Sequence, residues 1–137
     1  MDFITVPAHD NDPDPIVEFV EERLSHHDCS PKALYQIQVA IEEILVNIVS
    51  YAQLAEDDHI EVRCEVLDGP LRVVLQFLDG GVPFDPLERE DPDTSPEALM
   101  ENEGGLGIFM VKQMMDEVSY AYEGGKNTLT IQKGLEA

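Results

Sequence analysis

The sequence predicts a two-layer α/β (α+β) sandwich, in which three main helices cover one face of a mixed, mostly antiparallel sheet. Its length of 137 residues suits one domain, and hydrophobic residues make up 43% of it, enough to build a core. Some segments alternate between apolar and polar residues, as strands do, while others repeat apolar residues every three or four positions, as helices do. Stacking the two kinds of element in layers buries both apolar faces.

The first two elements are a short strand and a helix. The strand runs from Phe3 to Val6, and a loop from Asp10 to Pro15 leads into the helix, with Asp12 or Asp14 as the expected cap. This helix should end near His27. Its apolar face consists of Ile16, Val17, Phe19, Val20 and Leu24.

A longer second helix begins after Ser30, a favourable N-cap residue, with Pro31 at the first helical position. Val39 and Val46 lie opposite the main apolar stripe, so the helix is apolar nearly all round. We therefore expect a sheet to cover one face and other parts of the protein to cover the other. The stripe consists of Leu34, Ile37, Ile41, Ile44 and Ile48.

An antiparallel hairpin follows. Residues Ile60 to Leu67 alternate in polarity, and Asp68-Gly69 favours a turn into a second strand from Leu71 to Leu78. Asp79 continues the apolar row on one face of that second strand, because side chains alternate between the two faces. A carboxylate at the end of an apolar row needs a polar partner.

The segment from Gly80 to Gly105 has little periodicity apart from a short helix expected at Pro96 to Met100. Between Asp85 and Glu103 it holds eight acidic residues and the single base Arg89. Unstructured segments of this length inside a small domain are usually functional lids or disordered.

The rest of the chain predicts one helix and two strands. Gly104-Gly105-Leu106-Gly107 leads into a helix that should end near Asp116. The strands are expected at Val118 to Tyr122 and at Thr128 to Gln132, and the glycine-rich segment from Glu123 to Asn127 joins them.

Charge and composition narrow the range of functions that the protein can have. Eight basic and 29 acidic residues give a net charge of −21, which disfavours binding to nucleic acid and to anionic membranes and favours a basic partner. Cys29 and Cys64 show no metal-site spacing or disulfide framework. The N-terminus lacks the pattern of a signal peptide, and we expect no membrane span. These features predict a cytoplasmic protein.

Three short motifs could carry chemistry. Glu43 and Asn47 are four residues apart and share one helix face, beside the apolar stripe. Asp79-Gly80-Gly81 ends a strand, where the carboxylate could accept a hydrogen bond from an exocyclic amine and the second glycine could admit a flat ring. Gly104 to Gly107 precede a helix, whose N-terminus favours phosphate. Taken alone, the Glu43/Asn47 pair also fits an ordinary pair on a helix surface, and each of the two glycine motifs also fits an ordinary turn.

In this order the three motifs resemble the nucleotide-binding boxes of the Bergerat-fold (GHKL) ATPases. Within that group, residues 39–47, 77–86, 103–108 and 115–118 resemble the bacterial anti-sigma-factor serine/threonine kinases. The resemblance covers nearly the whole chain. It implies a single histidine-kinase-like ATPase domain over residues 1–137, with a mobile ATP lid at about 82–104.

The resemblance also implies roles for individual residues. Glu43 matches the general base that takes the proton of a substrate serine, and Asn47 matches the asparagine that holds Mg²⁺ against the phosphates of ATP. Asp79 matches the adenine-binding aspartate, and Gly81 and Phe84 should line the adenine side. The expected phosphate-binding residues are Gly104, Gly105, Leu106 and Gly107.

Other positions match the family's pattern less closely. Thr128, or its neighbour Asn127, falls where a threonine of the family helps to hold adenine through water. Tyr51 stands where these kinases often place a histidine. This difference should affect how the substrate is handled or how fast it reacts, rather than nucleotide binding. The acidic lid offers little positive charge to a triphosphate, so phosphate affinity should be modest.

Three functions fit the sequence. The first is an ATP- and Mg²⁺-dependent kinase that sequesters a sigma factor and phosphorylates a STAS-type anti-sigma-factor antagonist, as the resemblance implies. The second is a nucleotide-sensing protein-binding module without kinase activity, and the third is an acidic interaction domain that binds no nucleotide. Family analogy also suggests a homodimer.

Overall fold

The computed structural model describes residues 1–8, 12–88 and 106–136. The expected short helix at Pro96 to Met100, most of the lid, and Gly104 and Gly105 lie outside these ranges. In chain order the elements are β1 (Asp2–Pro7), α1 (Asp14–Leu24), α2 (Pro31–Tyr51), β2 (His59–Leu67), β3 (Arg72–Asp79), a 3₁₀ turn (Pro86–Glu88), α3 (Leu106–Met114), β4 (Glu117–Glu123) and β5 (Lys126–Gly134).

The sheet has five strands in the order β1-β2-β3-β5-β4, and the predicted two-layer α+β fold is confirmed. Each neighbouring pair of these strands is antiparallel, so the ladder includes none of the parallel pairing that a mixed sheet would contain. The chain order explains this result. After β3 the chain passes through α3 to β4 at the edge of the sheet, and the last hairpin brings β5 back antiparallel to β3.

The long helix α2 supplies much of the core. Ser30 is its N-cap, and the Ser30 hydroxyl oxygen accepts a hydrogen bond from the Ala33 amide at 3.0 Å, as the sequence predicts. The buried residues of α2 include the predicted stripe residues Ile37, Ile41, Ile44 and Ile48.

The outer face of α2 differs from the prediction. Val46 is 54% exposed and Tyr35 is 67% exposed, whereas Val39 is half-buried, so the described part of the chain leaves much of this face uncovered. In a two-layer fold only the sheet can cover this helix, and the sheet covers one of its faces.

By length and composition alone, α2 could cross a membrane. Core helices of globular domains pass the same test, and this evidence is weak. In the structure, seven residues of α2 are buried against the rest of the domain.

The first helix is shorter at its C-terminus than expected. It ends at Leu24 rather than near His27, and its N-cap is Pro13, so neither Asp12 nor Asp14 occupies the cap position. Asp12 instead accepts a hydrogen bond from the Asp14 amide at 3.0 Å. The short aspartate side chain thus accepts a hydrogen bond from the first amide of the helix, two residues on.

Both predicted hairpins are present. β2 and β3 pair antiparallel, and Val73, Leu75, Phe77 and Asp79 are buried together on one face. β4 and β5 are longer than predicted and are joined by Gly124 and Gly125, whose φ angles are +59° and +78°. Two successive positive φ angles suit the right-handed twist of a two-residue hairpin and favour glycine.

The exposure of α2 leads to a test of stability with two matched positions. Ile44→Ala should lower the free energy of unfolding by about 2–5 kcal/mol because it leaves a cavity in the core. Val46→Ser, two residues away on the exposed face, should change it by less than about 0.5 kcal/mol. Urea unfolding monitored by circular dichroism measures both. A similar cost for the two variants would show that a second molecule covers Val46.

Candidate functional site

Three of the predicted site residues, Asn47, Asp79 and Phe84, meet where the C-terminal half of α2 faces the end of β3 and the start of β5. A cavity of about 20 Å³ lies there, room for about one water molecule. The structure brings to it two of the motif residues that were predicted from separate parts of the chain. Residues that line it include Asn47, Phe77, Asp79, Phe84, Tyr120 and Asn127.

Asp79 is 4% exposed and lies directly opposite Asn127 in the β3–β5 ladder. Its Oδ1 atom accepts hydrogen bonds from the Gly81 amide at 2.9 Å and from Nδ2 of Asn127 at 3.0 Å. These are the polar partners that the sequence requires for this carboxylate. Its other oxygen, Oδ2, accepts no hydrogen bond from the described part of the chain.

Asn127 connects the carboxylate to the loop after β3. Besides Asp79, its Nδ2 atom donates to the Val82 carbonyl at 2.8 Å. Its Oδ1 atom accepts from the Phe84 amide at 3.0 Å and from the Tyr120 hydroxyl. Both hydrogens of the amide nitrogen and both lone pairs of the amide oxygen are therefore used, which suits a side chain that is only 5% exposed.

The structure places Asn127, and not Thr128, beside Asp79. Asn127, Leu129 and Ile131 are buried on the helix-covered face of β5, and Thr128 lies between the first two and points to the opposite face. The residue beside Asp79 is therefore Asn127, the alternative that the sequence left open. The phase of Leu129 and Ile131, which is visible in the sequence, indicates the same choice.

Burial raises the pKa of the Tyr120 hydroxyl, and the nearby acids Asp85 and Asp79 raise it further, although the hydrogen-bonded backbone of Phe84 opposes this shift. The hydroxyl therefore keeps its proton through neutral pH. It remains able to donate to Asn127.

Phe84 lines the cavity, and its ring stacks on Tyr51 at the end of α2. The two ring centroids are 5.1 Å apart and the rings are inclined by 15°. Offset stacking at such a distance is favourable for aromatic pairs. Tyr51, which stands where the resemblance implies a histidine, thus packs against a residue that lines the cavity.

Gly81 has a different neighbour from the flat ring that the sequence suggested. A Cβ atom at this position would lie 2.1 Å from the Ala52 carbonyl oxygen, just beyond the end of α2. The next residue, Val82, donates its amide to the same carbonyl at 2.9 Å. The glycine is therefore required where the loop crosses the helix end, and this contact places the loop at the cavity.

Glu43 and Asn47 lie one turn apart on α2, both partly buried. The Glu43 carboxylate rests against the first turn of α3, since a Cβ atom at Gly107 would lie 2.2 Å from Glu43 Oε2. The first amides of a helix lack partners within it and carry partial positive charge. The structure thus places the Glu43 carboxylate at a helix N-terminus, with Asn47 one turn away along α2. α3 begins at Leu106, inside the glycine segment that the sequence placed before the helix.

Comparison with known proteins identifies the family. Residues 6–133 match the model of the histidine kinase-like ATPase domain. The chain belongs to this family. It is 32% identical over 101 residues to the serine-protein kinase RsbW of Listeria monocytogenes serotype 4a and 30% identical over 95 residues to RsbW of Bacillus licheniformis. These alignments cover 70% and 65% of this chain, which spans 63% and 58% of the two relatives.

Solved structures confirm the fold. The RsbU and RsbW domains of Rv1364c from Mycobacterium tuberculosis match with a TM-score of 0.64 and 17% identity, over 98% of this chain and 33% of that one. The catalytic domain of histidine kinase ThkA, in a nucleotide-free form, matches with a TM-score of 0.58 and 11% identity, over 99% of both chains.

The crossing of the loop and α2 can be tested with two adjacent glycines. Gly81→Ala should lower the free energy of unfolding by about 1–3 kcal/mol, because the new methyl group would overlap the Ala52 carbonyl. Gly80→Ala is the matched control, since its Cβ would meet no atom within 4 Å. Thermal unfolding of both variants measures the difference. Equal midpoints would show that the loop does not need this contact.

Proposed function

We propose that this chain is an ATP-binding anti-sigma factor with serine/threonine protein kinase activity, which phosphorylates a STAS-type anti-sigma-factor antagonist and sequesters a sigma factor. The observation that carries the proposal is the position of Glu43, whose carboxylate lies against the N-terminus of α3 and one helical turn from Asn47. The relatives that are named serine-protein kinase RsbW support it.

The nucleotide would lie between α2, the end of β3 and the N-terminus of α3. The free Oδ2 atom of Asp79 suits the exocyclic amine of adenine, and Phe84 offers an aromatic face beside it. The phosphates suit the start of α3, where Gly104, Gly105, Leu106 and Gly107 would supply backbone amides. The cavity is small, so the residues that line it would have to move apart to admit the base.

A magnesium ion fits the chemistry of the Asn47 side chain, whose amide oxygen is the hard type of ligand that Mg²⁺ prefers. The described residues contain no cluster of three or more histidine, cysteine or acidic side chains that could hold a metal on their own. Mg²⁺ commonly binds through one or two protein ligands and the substrate's phosphates, and Asn47 would be such a ligand. The ion would supply neutralisation of phosphate charge.

Glu43 would act as the general base. The oxygen of a substrate serine attacks the γ-phosphorus, the bond from that phosphorus to the β,γ-bridging oxygen breaks, and ADP leaves. The serine proton passes to the Glu43 carboxylate. Most of the catalytic effect would come from holding the hydroxyl and the phosphate in line, since phosphoryl transfer asks little covalent chemistry of the protein.

Charge supports the choice of partners. A net charge of −21 steers the chain toward basic surfaces, such as those of a DNA-binding sigma factor, and away from nucleic acid and anionic membranes. Action on a sigma factor also fits a cytoplasmic location. The homodimer that the resemblance suggests belongs to the same proposal.

A nucleotide-sensing module without kinase activity is the alternative. The eight acids between Asp85 and Glu103 favour it, because they would repel a triphosphate. The position of Glu43 beside the helix N-terminus favours the kinase.

Replacing the proposed general base, Glu43, distinguishes a kinase from a nucleotide sensor without kinase activity. Glu43→Gln should reduce transfer of labelled phosphate from ATP to the STAS-type antagonist of the same organism by about 100-fold or more, because the amide cannot take the proton. ATP affinity, measured by calorimetry, should stay within about threefold of wild type. Glu42→Gln is the control, since Glu42 is exposed one position away. Wild-type transfer by Glu43→Gln would refute the base assignment.

The contact between Gly107 and Glu43 gives a further test. Gly107→Ala should lower phosphate transfer by about tenfold or more, because its methyl group would push the Glu43 carboxylate out of place. In the Glu43→Gln background the same substitution should cost much less, since the two residues act as a unit. A double-mutant cycle of transfer rates measures this coupling. Independent, additive losses would show that Gly107 acts on the phosphates alone.

A further inference from the structure

We infer that Lys133 is a positioning residue for phosphate transfer, because its ammonium group holds the C-terminal end of α3 and thereby sets the other end of that helix against Glu43. This inference rests on the proposed kinase function. It adds a residue that lies outside the three motifs and the cavity beside Asp79. Lys133 is six residues beyond Asn127 on β5, which is about 20 Å along the strand.

Lys133 is a lysine in an apolar row. Ile131 and Leu135, two residues before and after it, are 1% and 0% exposed. Val73, which lies opposite Lys133 in β3, is 1% exposed, and Lys133 itself is half-buried. A methionine would suit such a row better, since partial burial disfavours an ammonium group unless its hydrogens are bonded. The apolar row therefore does not explain the lysine.

The contact of the ammonium group explains it. Lys133 Nζ donates to the Met114 carbonyl at 2.9 Å. Met114 is the last residue of α3, and the last carbonyls of a helix lack partners inside it and carry partial negative charge, so a cation stabilises this end. Two further bonds join the same end to β5. The Asp116 amide donates to the Gln132 carbonyl at 2.8 Å, and the Asp116 carboxylate accepts from the Gly134 amide.

These directional bonds restrict the movement of α3 along its axis. The helix also packs on the core through the buried side chains of Ile108 and Val111, and of Met115 just after its end. Apolar contact has no preferred direction, so packed helices can slide by small amounts and still keep it. A hydrogen bond from a lysine on the neighbouring strand weakens when its length or angle changes. The bonds at the C-terminal end therefore hold the whole helix in place.

The N-terminal end of α3 needs this accuracy. At Gly107 a Cβ atom would lie 2.2 Å from Glu43 Oε2, so the helix already approaches the proposed base closely. Met114 is seven residues further on, about 10 Å along a helix. A slide of about 1 Å would move the phosphate-binding amides relative to Glu43, and misplacement on this scale can lower a rate by about 100-fold.

The experiment replaces Lys133 with methionine, which keeps an unbranched side chain and removes the donor. For transfer of labelled phosphate from ATP to the STAS-type antagonist, kcat should fall by about tenfold or more, while KM for ATP changes by less than about threefold because the adenine end is untouched. The thermal unfolding midpoint should stay within about 4 °C of wild type, because methionine suits the row. Lys133→Gln, a second neutral variant, should lower kcat in the same way.

Two variants serve as controls. Lys133→Arg keeps a cation with N–H donors and should retain kcat within about threefold of wild type. Lys32→Met removes the same charge from an exposed residue that lines the same surface groove as Lys133, and it should leave kcat unchanged. Rates are measured well below the unfolding midpoint of each variant.

Coupling with Glu43 separates positioning from general support of the fold. In the Glu43→Gln background, Lys133→Met should lower the remaining rate by less than about twofold, because the carboxylate that α3 must face is already absent. Wild-type kcat in Lys133→Met, an equal loss in Lys32→Met, or an undiminished loss in the Glu43→Gln background would overturn the inference and leave the proposed function intact. If wild type itself transfers no phosphate, the proposed function fails and the inference fails with it.

Discussion

The candidate pocket depends on a buried hydrogen bond between neighbouring strands, from Asn127 at the start of β5 to Asp79 at the end of β3. A buried carboxylate is costly unless donors surround it, and a buried amide is costly unless all its bonds are made. Asn127 meets both requirements because it also binds Val82 and Phe84. The same contacts place the loop after β3 beside the cavity and hold the ring of Phe84 there.

Helix α2 connects the hydrophobic core to the candidate catalytic residues. The inner face of α2 buries Ile41, Ile44 and Ile48 against the sheet, and its flank carries Glu43 and Asn47. The packing of the core therefore sets the position of the candidate base and of the candidate magnesium ligand. The end of the same helix fixes the pocket loop, through the Ala52 carbonyl and the stacking of Tyr51 on Phe84. A shift of α2 would disturb all of these contacts together.

Much of this arrangement could be predicted from the sequence. The three- and four-residue spacing of the α2 stripe and the two-residue spacing of β3 gave the correct buried faces, and the order of the motifs indicated the family that the comparisons confirm. The exposed face of α2 was missed because periodicity shows which residues are apolar and not how many layers cover them. The contacts of Gly81 and Gly107 depend on tertiary approach between distant segments, which local pattern does not specify.

In the proposed function, Asp79 recognises the base of ATP in this pocket. Calorimetric titration of ATP, with and without Mg²⁺, into wild type and Asp79→Asn side by side tests it most directly. We expect binding by wild type that Mg²⁺ strengthens, and loss of that binding in Asp79→Asn, which keeps the shape of the side chain but replaces one acceptor oxygen with a donor. Equal binding by the two proteins, or no binding by wild type that is shown to be folded, would contradict recognition of the base by Asp79.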